Sequence, residues 1–456
     1  MRSLTTEITI VGAGLTGLTL AWYLKRAGKK VLLIDKNSRP GGVIETVRED
    51  GFVFEKGPNT GVIGTPEIFQ LFEDLKTQVE VEVPDENGKK RWIWKAGKWH
   101  ALPSGLNGLT TPLFTFKDKL RILGEPFRKP GANPDEVLSD MVVRRLGRSF
   151  LDYAVDPFIS GIYAGDPNRL VTRYALPKLY NLEQKYGGFI KGALKKQKEP
   201  KTELEKRVTK EVFSIKGGLG NMVEALSELV GRENLFLRAG QLLVKPEEDG
   251  FECSFEMDNQ SIAIRSQKVI TTCSGKVLPA LLPFIPDDLM HDASNAVYAK
   301  VVQVAMGYKK WDGVKLEAFG GLVPTKEKRN ILGALFLSSL FKGRAPEGGA
   351  LLSVFLGGIK KPEFFEKPDE VIKQMVLSEI EQILGSKQRP DLLRVFRYEQ
   401  AIPQYEQTTG QRLEAVTRIQ QQFPGLIIAG NLRDGIGMAD RVKQGRQIAN
   451  QIIQES

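Results

Sequence analysis

EITIVGAGLTG, residues 7–17, decides how this chain begins to fold. Residues 7–11 are an apolar, β-branched run that reads as a short buried strand. Gly12, Gly14 and Gly17 follow at GxGxxG spacing, and Leu18, Ala21, Trp22 and Leu24 recur with the period of an amphipathic helix. Gly28 ends that helix. A second apolar run, VLLID at 31–35, closes on Asp35. A lone GxGxxG is a weak signal. Here strand, loop, helix, second strand and acid stand in the order of a dinucleotide-binding unit. Gly12 permits the tight turn. Gly14 lets the backbone approach a pyrophosphate at the helix N-terminus, with Ala13, Leu15 and Thr16 beside it. Gly17 lets helix and strand pack closely. Asp35 is placed to accept hydrogen bonds from a ribose, with Lys36 next to it.

The totals bound what the rest can be. A chain of 456 residues is too long for one core, so two or three domains are expected. Apolar residues make up 41%, enough to build those cores. Only Cys253 and Cys273 are cysteines, which fits a reducing cytoplasmic setting. Only His100 and His291 are histidines, so a metal site or a His-based triad is not expected. No run approaches the roughly 18–20 apolar residues that span a bilayer. The net charge of +10 could suit an anionic lipid surface or an acidic small molecule. No nucleic-acid motif accompanies it, so nucleic acid is not an expected partner.

Two further segments choose the dinucleotide. NSRPGGVIET follows Asp35 and FVFEKGPNT comes soon after. Arg39, Gly41, Gly42 and Val43 resemble the second motif of two-domain flavoproteins of the amine-oxidase type, where an Arg-x-Gly-Gly turn lies along the flavin diphosphate. Gly57, Pro58, Asn59 and Thr60 resemble the loop that follows it. FPGLIIAGNLRDGIGMADRVKQGRQIANQI, residues 423–452, resembles the closing segment of the same proteins. There a strand, a Gly-rich turn and a helix meet the flavin ring. On that likeness Gly435 and Gly437 leave room for close approach, Gly430 is a further cofactor-binding residue, and the backbone of Ile436 to Met438 can donate toward the flavin. The expected cofactor is therefore FAD.

The fold class follows: α/β, with a discontinuous Rossmann-like FAD-binding domain at 1–75, 211–275 and 421–456. IKGGLGNMVEALSELV, residues 215–230, reads as a turn and helix that return the chain to this domain. NLFLRAGQLLV, 234–244, reads as paired short strands, with one backbone stretch near 241–243 bracketing the adenine. Residues 90–210 are expected to form an inserted helical domain, and 276–420 a mixed-sheet substrate domain. Residues 185–210 hold nine basic and three acidic side chains. With Trp92, Trp94 and Trp99 nearby, they make this region a candidate for peripheral attachment to the cytoplasmic face of a membrane. A homodimer is a further candidate assembly.

DPFISGIYAGDPNRL at 156–170, together with EKGPNT, GGLVP, AIPQY and AGN…GIG, resembles the oxygen-dependent protoporphyrinogen oxidases and their relatives that act on coproporphyrinogen III. The likeness runs from Ile8 to about Ile453. GIYAGDP and AIPQY are its specific parts, because general amine oxidases lack them. The resemblance implies non-covalent FAD and six-electron oxidation of a porphyrinogen by molecular oxygen, giving porphyrin and hydrogen peroxide. The chain has no cysteine beyond 273 through which a C-terminal covalent link could form. The resemblance further implies that Gly161 is the catalytic-site residue where the macrocycle meets the flavin, offering its carbonyl to pyrrole N–H groups. Leu322, Leu335 and Phe355 would sandwich the ring. Two departures stand out. No Lys or Arg occurs from Asn59 to Leu75, where some members place a propionate-binding arginine, and Lys300 falls roughly where amine oxidases keep a lysine near flavin N5. A flavin amine oxidase and an FAD-binding scaffold without turnover are the competing readings.

Overall fold

The computed structural model describes residues 2–103, 108 and 110–455, so residues 104–107 and 109 of the expected helical domain lie outside it. The strand expected at 7–11 starts earlier and spans Arg2–Val11. Val31–Ile34 flanks it in parallel on one side and Gln260–Thr271 on the other. Leu235–Phe236 joins outside Val31–Ile34, and Leu426–Ile428 pairs in parallel with the end of Gln260–Thr271. Gly250–Met257 and Gly240–Glu247 extend the sheet in antiparallel fashion. Seven strands from three separate stretches of chain thus make one sheet. Parallel neighbours require crossover helices. Helix Leu15–Arg26 supplies the first, and helix Met438–Gln454 packs beside it. The interface admits no larger residue at Gly445, because a Cβ there would stand 2.7 Å from the Thr16 carbonyl.

The second sheet runs Leu392–Pro403, Tyr298–Tyr308, Ala350–Gly357, Ile331–Phe336, Gly320–Leu322, Arg91–Lys95, Lys98–Ala101. It is mixed, since Gly320–Leu322 and Arg91–Lys95 run parallel while the other pairs are antiparallel. One face packs Val302, Val304, Leu352 and Val354 against helix Asp369–Leu384. The fold class is accordingly α/β: a Rossmann-like sheet, a mixed second sheet, and helices between.

Two expectations need correction. The stretch from 90 is not helical at its start, because residues 91–101 form a hairpin of the second sheet. The alternation in RWIWK sends Trp92 and Trp94 to the helix-covered face, and Trp99 packs with both. Trp99 donates to the Ile383 carbonyl at 2.7 Å, so these indoles, Trp94 buried and Trp92 and Trp99 half-buried, pack under the covering helix. The strands within 234–244 do not pair with each other either: Leu235–Phe236 pairs with Val31–Ile34, and Gly240–Glu247 with Gly250–Met257. Arg238, at φ 60, turns the chain between them. The register shift between Gly240 and Leu243 leaves residues 241–242 out of the ladder.

Candidate functional site

The five segments singled out for a dinucleotide converge. Gly12 has φ 110, and a Cβ on it would meet Thr272 Oγ1 at 2.4 Å. Thr272 in turn donates to the Gly12 carbonyl, and a Cβ on Gly430 would meet the Thr272 carbonyl at 2.8 Å. Thr272 therefore joins the first loop to the last. A Cβ on Gly42 would sit 3.4 Å from the Gly14 Cα, and one on Gly57 would sit 2.3 Å from the Val43 carbonyl. These approaches bring together the turns at 12–17, 41–43 and 57–60. Met438 closes the ring of segments, its Cε 2.7 Å from where a Gly61 Cβ would be. Arg39 holds the second turn, donating to the carbonyls of Pro40, Gly42 and Ile44 and pairing with Glu45.

What remains open in this arrangement fits a bound dinucleotide. A Cβ on Gly14 would find no atom within 4 Å, although the loop around it is tightly packed. Buried Asn59 leaves Oδ1 without a partner, and so does Thr16 at Oγ1. Asp35 accepts from the Ala13 and Asn37 amides at 2.7 and 2.8 Å, one to each oxygen. A carboxylate offers about four acceptor positions, so each oxygen keeps one for a hydroxyl. Exposed Lys36 takes no part in these contacts. Burial and the nearby Asp35 push the Cys273 thiol up to about 12, which leaves it a poor nucleophile.

The last loop is held from beneath. Tyr405 donates to the Asn431 carbonyl and accepts from the Gly435 amide, and burial pushes its phenol up to about 12. Gln444 accepts from the Gly430 amide and donates to Asp434. Asp440 accepts the Gly437 amide at 3.0 Å. The Ile436 and Met438 amides have no acceptor among the described residues. They lie at the N-terminal end of helix Met438–Gln454, where backbone donors and the helix dipole favour negative charge.

GIYAGDP begins inside a helix, Asp156–Tyr163, which ends on left-handed Ala164 at φ 46. The requirement at Gly161 is space, since a Cβ there would lie 2.4 Å from Leu322 Cδ2. The capping amides of Ala164 and Gly165 both return to the Ile159 carbonyl, so the Gly161 carbonyl is left beyond the last helical bond. Ile159 and Tyr163 of this helix cluster with Tyr405 and Ile436. Gln404 donates to the Tyr163 carbonyl, and the Val171 amide donates to Tyr405. GIYAGDP and AIPQY are therefore one packed unit that rests on the last loop.

Pairing across the second sheet places the other three residues. Leu322 stands opposite Gly333, Gly333 opposite Phe355, and Phe355 opposite Gln303. Leu335 lies two residues along from Gly333, so it shares their face. Leu322, Leu335 and Phe355 thus lie on one surface, with Gly161 touching it at Leu322.

Two residues on this face carried no sequence signal. Buried Gln303 accepts from the Gly57 amide and from the Tyr398 hydroxyl, and donates to the Glu55 carbonyl and Ser353 Oγ. It ties the 57–60 loop to the second sheet. Exposed Arg91 pairs with Gly320, which pairs with Leu335. Gly320 has no side chain between them, and the Arg91 guanidinium rests over the Phe319 ring. An acid three residues beyond an arginine would have marked a salt bridge; a bare KKRWIWK does not announce a site. Lys300 belongs elsewhere. Its Nζ pairs with Glu366 at 3.0 Å and lies over Phe365, three residues before the inward Gln303.

The description of flavin-containing amine oxidoreductases matches residues 15–453. The chain is 28% identical to protoporphyrinogen oxidase 2 of Arabidopsis thaliana, covering 98% of this chain and 94% of that one. It is 25% identical to coproporphyrinogen III oxidase of Bacillus subtilis, covering 96% of each. An Exiguobacterium protein provisionally named a protoporphyrinogen oxidase has the same fold, at a TM-score of 0.81 and 23% identity over 99% of both chains. Cyclohexylamine oxidase of Brevibacterium oxydans superimposes at 0.70 with 14% identity, over 99% of both chains, so the fold by itself does not select the substrate.

Proposed function

Since this chain belongs to the flavin-containing amine oxidoreductase family, and so is an oxidoreductase that uses FAD, we propose that it oxidises protoporphyrinogen IX to protoporphyrin IX in haem biosynthesis. The observation that carries the reading is the contact of Gly161 with the Leu322 face. It joins the two porphyrinogen-type segments, GIYAGDP and AIPQY, to an apolar sheet surface. The relatives named above act on such rings by name. We assign 1–75, 211–275 and 421–456 to FAD. The substrate domain is 276–420 with the hairpin at 91–101, and helices predominate among the described residues from 116 to 210.

FAD would be held without a covalent link by the loops at 12–17, 39–43, 57–60 and 430–438. It supplies the hydride acceptor for each two-electron step. The overall change removes six hydrogens from the porphyrinogen and reduces three O2 to three H2O2. The protein's part is placement and exclusion of water. Leu322, Leu335 and Phe355 offer a flat apolar surface, and the free Gly161 carbonyl can accept pyrrole N–H groups. Arg91 is the cation we assign to a propionate. Its planar fork suits a carboxylate. Arg394, at the other end of the same row, is already paired with Glu49. Replacing Arg91 with Met should raise KM about tenfold or more, equivalent to about 1.4 kcal/mol, with kcat changed less than about twofold. An unchanged KM removes Arg91 from the site.

Anaerobic mixing of the holoenzyme with protoporphyrinogen tests the main reading. Bleaching of the oxidised flavin band supports it, and no bleaching sinks it. Faster bleaching by coproporphyrinogen III would shift the substrate to the four-propionate ring. Bleaching by an alkylamine would establish the amine-oxidase reading, which has lost the support of Lys300. A flavin that none of these reduces would identify a scaffold.

A second surface adds to the candidate for peripheral membrane attachment. In the stretch 185–210, Lys185, Lys206 and Arg207 pair with acids. Leu194 there is 59% exposed, and a larger apolar exposure lies on helix Phe116–Leu123 and the turn after it. Phe116 is 74% exposed, Leu123 66% and Phe127 88%. The acids there turn inward, Asp118 to Ser149 and Glu125 to Arg145. Lys117 and Lys129 stay outward, so the outer face is apolar and positive. We propose that it docks on anionic lipid. No helix among the described residues is long and apolar enough to cross a membrane. The protein should sediment with phosphatidylglycerol vesicles and not with phosphatidylcholine, and Phe127→Asp should abolish it. Equal recovery with both vesicles, or with neither, rejects the surface.

A further inference from the structure

We propose that Arg441 fixes both the geometry and the charge of the flavin-facing loop, and thereby raises the reduction potential of the bound FAD. This rests on the reading of residues 435–438 as that loop. Arg441 sits in the first turn of helix Met438–Gln454 and is 9% exposed. One guanidinium nitrogen donates to the carbonyls of Arg433 and Gly435 at 2.9 and 2.8 Å, and another to Gln444 Oε1 at 2.9 Å. Nε has no partner.

The geometry follows from the planar trans peptide, in which C=O and N–H point in opposite directions. A grip on the Gly435 carbonyl turns the Ile436 amide away from Arg441. A grip on the Arg433 carbonyl does the same to the Asp434 amide. Asp434 and Gly435, at φ 64 and 95, provide the left-handed reversal that lets the Arg433 and Gly435 carbonyls both turn inward. The Ile436 amide is one of those without a protein acceptor. Arg441 therefore aims an uncommitted donor out of the loop, while Tyr405 restrains the peptide between the two it grips, through the Gly435 amide.

The charge follows from the partners. All three are neutral, and a buried cation so placed is costly to keep. Asp434 is exposed and already pairs with Arg433, and Asp440 is turned to the Gly437 amide. A guanidinium does not give up its proton here, so the positive charge persists beneath the loop. Reducing a flavin adds negative charge to the ring. A cation held close in a low-dielectric setting favours that form.

The test measures the midpoint potential and the FAD dissociation constant of the holoenzyme, neither of which needs turnover. Arg441→Gln should lower the potential and weaken FAD binding about tenfold. Arg441→Lys keeps the charge without the fork. Its potential should stay near that of the parent while FAD binding weakens, and it remains informative if the Gln variant does not fold. An unchanged potential in Arg441→Gln overturns the proposal, as does an equal fall in both variants. A parent protein that takes up no FAD would overturn the flavin reading itself, whereas a parent with FAD and unaltered variants overturns only the role of Arg441.

Discussion

Gly161→Leu is expected to fold and to retain FAD but to lose turnover by about a hundredfold or more. The position already contacts its neighbour, since a bare Cβ would stand 2.4 Å from Leu322 Cδ2. That atom is the end of a flexible side chain, so alanine can be admitted by a shift of Leu322. A full isobutyl group cannot. It must either displace Leu322 along the sheet or project into the space beside the helix end. Overpacking of this kind costs about 1–3 kcal/mol, which a chain of this size can absorb. The kinetic loss is larger because a displacement of about 1 Å at a reacting ring can cost about a hundredfold. The visible spectrum reports retained flavin, and kcat/KM reports the loss. Full activity in the leucine variant would place the ring somewhere other than against this helix. A graded series, with Ala milder than Leu, is the expected pattern.

Gly17→Ala should have the opposite signature, with the cofactor lost. A Cβ at this position would lie 1.9 Å from the Gly12 carbonyl oxygen. The obstruction is backbone, inside a turn already held at φ 110 by Gly12, so no side-chain movement relieves it. Helix Leu15–Arg26 must move off strand Arg2–Val11, which opens the loop that approaches the pyrophosphate. Purified protein should carry less than about a tenth of the parent's FAD and should melt earlier, although a chain of several domains yields no single unfolding free energy. Gly14→Ala is the control. No atom lies within 4 Å of its added Cβ, so the protein itself accommodates the methyl group. If Gly14→Ala keeps its melting temperature without ligand and still loses FAD affinity, that open space is where the ligand lies. Normal FAD content in Gly17→Ala would contradict the packing described for this turn.

The parts of this protein that were legible in advance are those whose signals are local. In EITIVGAGLTG the glycine at 17 answers to a carbonyl five residues back, and Gly12 makes the turn between strand and helix. Turn chemistry, strand propensity and helix period therefore agree over a short window. The same holds for the closing segment, where a strand, a Gly-rich turn and a helix follow directly on one another. GIYAGDP was distinctive by resemblance, but its local signals did not say what conformation Gly161 adopts. The helix runs through that glycine to Tyr163, and the reason for the glycine is a leucine 161 positions away.

The sequence by itself determined the dinucleotide unit, the acid that closes it and the segments that return to it. Only the tertiary structure decided which residues share the face beside Gly161. It removed Lys300 from that face and put Gln303 there, it brought Arg91 next to Gly320, and it turned three tryptophans inward. It also set Arg441 beneath a loop that sequence alone describes as glycines. The physical reason is register. A strand presents alternate side chains to opposite faces, so a shift of one residue exchanges inside for outside. That register is fixed by pairing between strands up to 200 or more positions apart, as between Arg91 and Gly320, and no local window contains both partners.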